Sequence, residues 1–279
     1  MTRIALACLL GCLIATPSLA RTALTANTSF YVNSSTGSDT ATCGPSTTPC
    51  ASPNGAMSAI ANGYDYNGHT ITIQLTAGQT YTAASPALAV LGLWNGVGHG
   101  NLIVDGAGTA LLSASGAQDA LSQLEPINQG VVVQNIHLSS PSQCGVYAQE
   151  SGVLTVGANV YVQNSLYQLC AGDSGAILVL TGPIYLSGNA TVGIMTNNNS
   201  EVFNDGASIT ISGNPSYWAF VYAFANGEYW GGAPNGTFIG TATGNKCTAV
   251  LNGVVATNGH AASLPGNVAC STASGGQVN

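Results

Sequence analysis

Short runs of alternating apolar and polar residues recur through the second half of the chain at a nearly constant interval. Between Cys144 and Asn258, each interval holds a short strand, a small-residue corner leading into a second strand, and a third strand ending near an asparagine. The corners fall at positions 152, 175, 200, 227 and 253, which gives steps of 23, 25, 27 and 26 residues. Three strands and three turns per period describe one coil of a parallel β-solenoid.

An antiparallel sandwich is the alternative, because it also combines short strands with Gly and Asn turns. The solenoid is favoured because each repeat holds three strands and an asparagine recurs at the same position of the repeat. Equivalent residues of successive coils lie ~4.8 Å apart, so Asn164, Asn189 and Asn214 are expected to stack their amides as a ladder. The pattern therefore predicts one all-β solenoid domain of about eight to ten coils.

The N-terminal part of the domain is expected to close one end of this solenoid. Residues 30–68 form the predicted cap, with a short helix over 56–61 and Asn54 as its N-cap. A helix at that position would cover strand edges that are otherwise unpaired. The strand Thr70–Leu75 then begins the first full coil, and residues 260–279 form a closing segment at the other end.

The first 20 residues have the features of a secretory signal peptide, and the mature domain is expected to span 21–279. Arg3 supplies the positive charge, Ile4–Ala15 the apolar core, and Ser18–Ala20 a small-residue cleavage site after Ala20. Lipoprotein processing at Cys12 is the alternative. The predicted location is secreted, periplasmic or at the cell surface.

Composition and charge exclude several classes of partner. The chain has 279 residues, 46% hydrophobic but only 5% charged, and no segment after the signal reads as a membrane helix. Without Arg3, the mature chain has two strong bases, Arg21 and Lys246, against ten acids, a net charge of −8. Nucleic acids and acidic polysaccharides are therefore not expected to bind, because nothing neutralises their charge.

Six cysteines lie outside the signal, and oxidation to disulfides is the expected state of an exported protein. Fifteen pairings are formally open. Two of the sequence-neighbour pairs are separated by about one coil, which suits bridges between adjacent coils. The alternative of a metal cluster lacks paired CxxC spacing, so we predict no metal and no cofactor. The favoured pairs are Cys43–Cys50, Cys144–Cys170 and Cys247–Cys270.

Segments at both ends of the chain resemble one known family. The motif residues are Phe30–Asn33, Gly37–Asp39, Tyr64–Leu75, Gly78–Thr82, Leu264–Asn267 and Ser274–Gln277. They are similar to the opening and ending of pectin-lyase-like right-handed β-helix proteins, nearest to the phage tail-spike-like and prophage-encoded members. The Pro-Phe-Ala-Thr type loop of such openings is replaced here by Pro49–Pro53. The resemblance implies a right-handed coil, contact with glycans, and a homotrimer as in tail spikes.

Four acids could carry hydrolytic chemistry. When the coils are aligned by their corner residues, one position of the repeat holds Glu150, Asp173 and Asn198. Another position holds Glu201 and Glu228. Carboxylates on adjacent coils approach the ~5–9 Å separation that glycoside hydrolysis uses. The alternative is that these acids are solvated turn residues. Pectate-lyase chemistry is not expected, because no arginine is suitably placed to act as base. Gly98-His99-Gly100 resembles a polygalacturonase motif but lacks its partner residues.

One coil is unusually rich in aromatic residues. Two pairs, Tyr217-Trp218 and Tyr229-Trp230, are candidates for exposed rings on which a neutral sugar stacks; packing in the core is the alternative. The chain is therefore interpreted as a secreted or surface β-helix protein without catalysis that binds glycans. An inverting glycoside hydrolase of the polygalacturonase-like type and a purely structural module are the competing hypotheses.

Overall fold

The computed structural model describes residues 21–83, 87–90, 100–124, 130–231 and 236–279. It shows a right-handed-type parallel β-solenoid of about six turns with one short helix, which confirms the predicted fold class. Every pairing between the described strands of the coils is parallel. The count of turns is lower than the predicted eight to ten coils.

The chain forms one α-helix, 25 strands and one 3₁₀ helix over the described residues. The helix α1 covers Pro53–Gly63, and the 3₁₀ helix covers Ala261–Ser263. The strands of the first half are β1 Thr22–Ala23, β2 Thr28–Val32, β3 Tyr64–Asp65, β4 Thr70–Leu75, β5 Thr80–Ala83, β6 Leu88–Val90, β7 Asn101–Ala114, β8 Leu121–Gln123, β9 Gly130–Ser139, β10 Cys144–Ala148, β11 Val153–Val156 and β12 Val160–Gln163. Those of the second half are β13 Tyr167–Ala171, β14 Ile177–Leu180, β15 Ile184–Ser187, β16 Val192–Asn197, β17 Glu201–Asn204, β18 Ser208–Ser212, β19 Ser216–Phe224, β20 Glu228–Trp230, β21 Thr237–Ile239, β22 Thr243–Val250, β23 Val254–Ala256, β24 Ser271–Ala273 and β25 Gln277–Val278.

The coil has three walls. The first wall is the run β2-β4-β7-β9-β11-β14-β17-β20-β23-β25 of the 15-stranded sheet. The second wall is the run β5-β7-β9-β12-β15-β18-β21 of the same sheet, which β7 and β9 join to the first wall by bending between the two. The third wall is the separate 8-stranded sheet β6-β8-β10-β13-β16-β19-β22-β24. The strand pattern of the sequence predicts this three-walled coil correctly.

Alternation along each strand fills the interior. In a strand, successive side chains point to opposite faces, so every second residue enters the core. Because neighbouring strands pair in register, the inward residues of successive coils lie above one another in rows. Each fully buried apolar side chain stabilises the fold by about 1.5–3 kcal/mol. The inward row of the first wall is Leu154, Leu178, Val202, Tyr229 and Val255, all fully buried.

The corner between the third and first walls is a stack of two-residue turns in the left-handed region. The aligned pairs are Glu150-Ser151, Asp173-Ser174, Asn198-Asn199, Ala225-Asn226 and Leu251-Asn252, with φ between 50° and 70°. Asn and Asp tolerate this conformation because their short polar side chains bond locally. Neighbouring turns are joined by backbone bonds, as from Glu150 N to the carbonyl oxygen of Asp173, 3.0 Å. The shared phase of Glu150, Asp173 and Asn198 is therefore confirmed.

The predicted amide ladder fails at Asn164, which is one residue out of phase with Asn189 and Asn214. Gln163, Ser187 and Ser212 pair in register, so Asn164 is followed on the next coil by Gly188 rather than by Asn189. Gly188 and Asn164 both have positive φ, which either residue type accepts. A side-chain amide contact instead occurs at the corner between the first and second walls. There Asn159 Nδ2 donates to Asn135 Oδ1 over 3.1 Å.

The helix α1 is longer than predicted and starts earlier. Ser52, not Asn54, is the N-cap, and its Oγ accepts from Gly55 N over 3.0 Å while Pro53 occupies the first turn. Asn54 serves another purpose, because its Oδ1 accepts from Ala89 N over 2.8 Å. The buried face of α1 packs against strands β2, β4 and β6 at one end of the solenoid.

All three predicted disulfides are present. Cys43–Cys50 closes a loop after β2, Cys144–Cys170 joins β10 to β13, and Cys247–Cys270 ties β22 to the segment before β24. Three disulfides indicate an oxidising compartment. None of the described helices is long and apolar enough to cross a membrane. The predicted signal peptide, with its cleavage site and Cys12, lies outside the described residues.

Candidate functional site

Strand alternation divides each predicted aromatic pair into one buried and one exposed ring. Trp218 is 52% exposed and Trp230 is 41% exposed. Tyr217 and Tyr229 are 2% and 0% exposed, so these two tyrosines offer no ring to a ligand, contrary to the prediction. Tyr217 instead donates its hydroxyl to buried Gln168 Oε1 over 2.8 Å, and burial raises the pKa of both tyrosines.

Trp218 forms one side of a surface groove at the corner between the second and third walls. The groove has a volume of about 400 Å³. It is lined by Pro141, Leu166, Asn189, Ala190, Thr191, Ser216 and Trp218. These residues come from the same corner of four successive coils, so stacking alone brings them together. Backbone bonds set their spacing: Thr191 N donates to Leu166 O over 2.8 Å, and Trp218 N to Thr191 O over 2.9 Å.

The lining of the groove has the chemistry of a site for a neutral polar ligand. It combines the flat indole of Trp218 with an amide, Asn189, and two hydroxyls, Thr191 and Ser216. Every side chain in the lining is uncharged at neutral pH. An aromatic face with a few convergent polar groups suits a molecule that has both apolar and hydroxyl-bearing surfaces.

The aromatic surface continues from Trp218 along the outer face of the third wall. Trp218 meets the ring of Tyr222 edge to face, with centroids 4.9 Å apart. Tyr222 in turn stacks on Phe224 with centroids 5.0 Å apart. All three residues lie on β19, and Tyr222 and Phe224 are half-buried. Phe220, which the alternation places with them, is instead fully buried and meets the ring of Phe238 edge to face, with centroids 5.5 Å apart.

A polar cluster occupies the same wall nearer the N-terminal end. The Tyr147 hydroxyl donates to Asp173 Oδ2 over 2.9 Å, and Asn198 Nδ2 donates to Asp173 Oδ1 over 3.3 Å. Burial, the hydrogen bond to Asp173 and the nearby carboxylates raise the pKa of Tyr147. Burial also raises the pKa of Asp119 to about 6, against the hydrogen bonds that it accepts, including that from Cys144 N. Sequence reasoning missed Tyr147 and Asp119, since no repeat position marks them.

The structure brings the predicted acid pairs together on neighbouring coils. Glu150 and Asp173 occupy adjacent stacked turns, and Glu201 pairs in register with Glu228 on the first wall. The indole Nε1 of Trp230 donates to Glu228 Oε2 over 3.0 Å, so this carboxylate is held by an exposed ring on the same strand. The second pair therefore lies on a different wall from the groove.

A second aromatic feature, not anticipated from the sequence, lies on the second wall. The rings of His137, Tyr161 and Tyr185 stack in parallel with centroids 4.4 Å apart. Each ring covers the face of its neighbour, so the stack presents mainly ring edges to solvent. Faces are what a sugar ring would need, so this stack fits a role in holding successive coils together.

Metal-binding residue types cluster at one place among the described residues, where Asp39 lies near Cys43 and Cys50. Both sulfurs are used by the disulfide, so they cannot act as thiolate ligands. Asp39 instead accepts from Ala51 N over 2.8 Å and from Ser52 Oγ over 2.6 Å. Of the Gly98-His99-Gly100 motif, the first two residues lie outside the described part of the chain.

No protein-family model matches the chain, and no curated protein or solved structure is significantly similar to it.

Proposed function

We propose that this protein is an exported, non-catalytic β-helix protein of the tail-spike-like kind that binds a neutral glycan at the groove beside Trp218. The observation that carries the proposal is the half-exposed indole of Trp218 over an uncharged groove with amide and hydroxyl groups. Sugars present apolar C–H faces and hydroxyl edges, which an indole and short polar side chains complement. The family resemblance and the solenoid support the same interpretation.

Charge restricts the glycan to the neutral class. The mature chain has two strong bases against ten acids, and the groove has no cation in its lining. An acidic polysaccharide would bring its charges to a surface of the same sign, which costs binding energy. The neutral ligand is therefore preferred over uronic-acid or sulfated polymers.

The experiment compares two exposed tryptophans on different walls. Trp218→Ala removes the ring at the groove, while Trp230→Ala removes a ring of similar exposure on the first wall. A glycan array with the oxidised mature protein identifies neutral ligands, and calorimetry measures their affinity for each variant. We expect Trp218→Ala to lower affinity at least tenfold, as loss of a buried stacking contact of about 1.4 kcal/mol or more would. If both variants bind the glycan as tightly as the wild type does, the groove is not the binding site.

The second candidate function is an inverting glycoside hydrolase, favoured by the position of Glu150 and Asp173 on neighbouring coils of the wall that continues from the groove. Release of reducing ends from any glycan that binds would support it, provided that Asp173→Asn abolishes release. Binding without release supports the non-catalytic role. A glycan array without any binding would leave a structural module, with the homotrimer implied by the resemblance, as the remaining hypothesis.

A further inference from the structure

The N-terminal end of the solenoid pairs the outer strand edges of two of its three walls. Each wall begins with a strand that has no preceding coil to pair with: β2, β5 and β6. The cap occupies the outer edge of β2, where Tyr31 N donates to Gly44 O over 2.7 Å and Tyr31 O accepts from Cys50 N over 2.9 Å. On β6, Ala89 N donates to Asn54 Oδ1 over 2.8 Å. The edges of the first and third walls are therefore covered.

The strand β5 of the second wall has an unpaired outer edge within the described part of the chain. The carbonyl oxygens of Gln79 and Ala83 accept from N–H groups of β7 and of the residue that follows it, each over 2.9 Å. A parallel strand bonds to one neighbour through alternate residues, so Thr80 and Thr82 direct their N–H and C=O groups away from β7. No described residue bonds to these four groups.

A surface groove of about 520 Å³ runs along this edge. Thr80–Ala83 form one side, Ala51–Asn54 at the start of α1 form the other, and Ser34 and Ala87 complete the lining. None of these side chains is charged. Four residues of an extended strand span about 13 Å at ~3.3 Å each, so the groove is matched to a segment of about that length.

The edge is held rigidly from behind. Tyr81 is only 4% exposed, and its hydroxyl donates to Val32 O over 2.8 Å. At the corner with the first wall, Gln79 Oε1 accepts from Ser34 N over 2.7 Å and Gln79 Nε2 donates to Asn33 Oδ1 over 3.0 Å. A strand that is already fixed loses little conformational entropy when a partner binds, which favours binding.

We propose that the outer edge of β5 binds an extended, uncharged peptide segment of a partner protein as an additional strand of the second wall. Thr80 and Thr82 supply two donors and two acceptors in the alternation that the backbone of an extended peptide complements. An acidic segment is disfavoured, because the mature chain has two strong bases against ten acids. Peptide binding at this edge is independent of glycan binding beside Trp218.

The test follows the backbone amides of β5 by NMR in the full oxidised chain. In the free protein, the amide hydrogens of Thr80 and Thr82 should exchange with solvent faster than those of Tyr81 and Ala83, which face β7. The probe is an acetylated and amidated hexapeptide of alternating threonine and alanine. At millimolar peptide, the amide signals of Thr80 and Thr82 should shift and their exchange should slow.

Two N-methylated forms of the hexapeptide separate strand addition from other contacts. One form is methylated at the threonine amides and the other at the alanine amides. An extended strand presents alternate N–H groups to opposite edges. One form should therefore lose about tenfold in affinity, while the other binds like the parent peptide.

Matched variants at one position of β5 test the protein side of the contact. Thr82→Pro deletes an N–H that points away from β7, so it removes no bond of the existing ladder. It should weaken peptide binding by about tenfold. Thr82→Ala keeps the N–H and should bind like the wild type. Thermal melting checks that both variants fold, and if Thr82→Pro does not, the two methylated peptides decide the question on the wild type.

Three results would each overturn peptide binding at β5: slow exchange of the Thr80 and Thr82 amides in the free protein, unchanged signals at millimolar peptide, or equal binding of the two methylated forms. A neutral oligosaccharide that shifts these amides when the peptide does not would assign the groove to a sugar instead. Sedimentation tests the remaining occupant. A wild type that self-associates, with a Thr82→Pro variant that is monomeric, would show that a second copy of the chain occupies the edge.

Discussion

Asp105 is the centre of a hydrogen-bond cluster that joins three successive coils. It lies in register between Gln74 and Gln134 on the first wall. Its Oδ2 accepts from Gln134 Nε2 over 2.8 Å and from Asn135 Nδ2 over 3.0 Å. Its Oδ1 accepts from Ala107 N over 2.8 Å and from Gln74 Nε2 over 3.3 Å. Burial raises the pKa of Asp105, but these hydrogen bonds outweigh burial and hold it below its ordinary value.

The substitution Asp105→Asn should destabilise the solenoid. One carboxylate oxygen becomes an amide NH₂, which then faces the NH₂ donors of Gln134 or Asn135. Two hydrogen bonds to a charged acceptor are worth about 1.5–3 kcal/mol each when buried, but Asp105 is only half-buried and the donors can turn to water. We therefore expect the free energy of unfolding to fall by about 1–2 kcal/mol in total at pH 7.

The lowered pKa of Asp105 also predicts how stability depends on pH. A carboxyl whose pKa is lower in the folded state stabilises the fold above its unfolded-chain pKa of about 3.9, and this contribution is lost as pH falls through the lower folded value. Urea unfolding followed by circular dichroism at pH 7 and pH 3 measures the effect. The gap between wild type and Asp105→Asn should shrink at pH 3. The matched control, Asp205→Asn, changes an exposed aspartate and should be nearly neutral. A gap that is absent at pH 7, or unchanged at pH 3, would refute the argument.

Two further predictions concern cross-links and backbone conformation. Replacing Cys144 and Cys170 together by serine should lower the free energy of unfolding by about 3.5 kcal/mol, because their disulfide closes a loop with a sequence separation of 26. Urea unfolding measures this change. A loss below about 1 kcal/mol would contradict the prediction. Leu251 is 54% exposed with φ of 50°, a conformation that costs a leucine about 1–2 kcal/mol. Leu251→Asn should therefore raise the melting temperature, and a lower value would show that the leucine contributes packing.

The fold was predictable because the sequence repeats its local chemistry once per coil. Corners that need positive φ fall at the same phase as Glu150, Asp173 and Asn198, and the cysteine spacing matches one coil. The amide ladder failed because coil lengths vary by a residue or two, and a shift of one residue replaces Asn189 with Gly188. A repeat thus predicts architecture better than it predicts which side chains stack.

The candidate site was only partly predictable. Alternation could have assigned Tyr229 to the core, since it lies between the outward residues Glu228 and Trp230. The groove at Trp218 could not be assembled from the sequence, because its lining comes from four coils whose relative register only the structure gives.

The most direct test of glycan binding at the groove uses Trp218 as a single fluorescent reporter. The chain has three tryptophans, so replacing Trp94 and Trp230 by phenylalanine leaves Trp218 as the only indole. Titration with the neutral oligosaccharide should shift the emission of Trp218 to shorter wavelength and protect it from iodide quenching, because the bound sugar covers the exposed indole face. Glycan binding that leaves the emission and quenching of Trp218 unchanged would contradict the central claim.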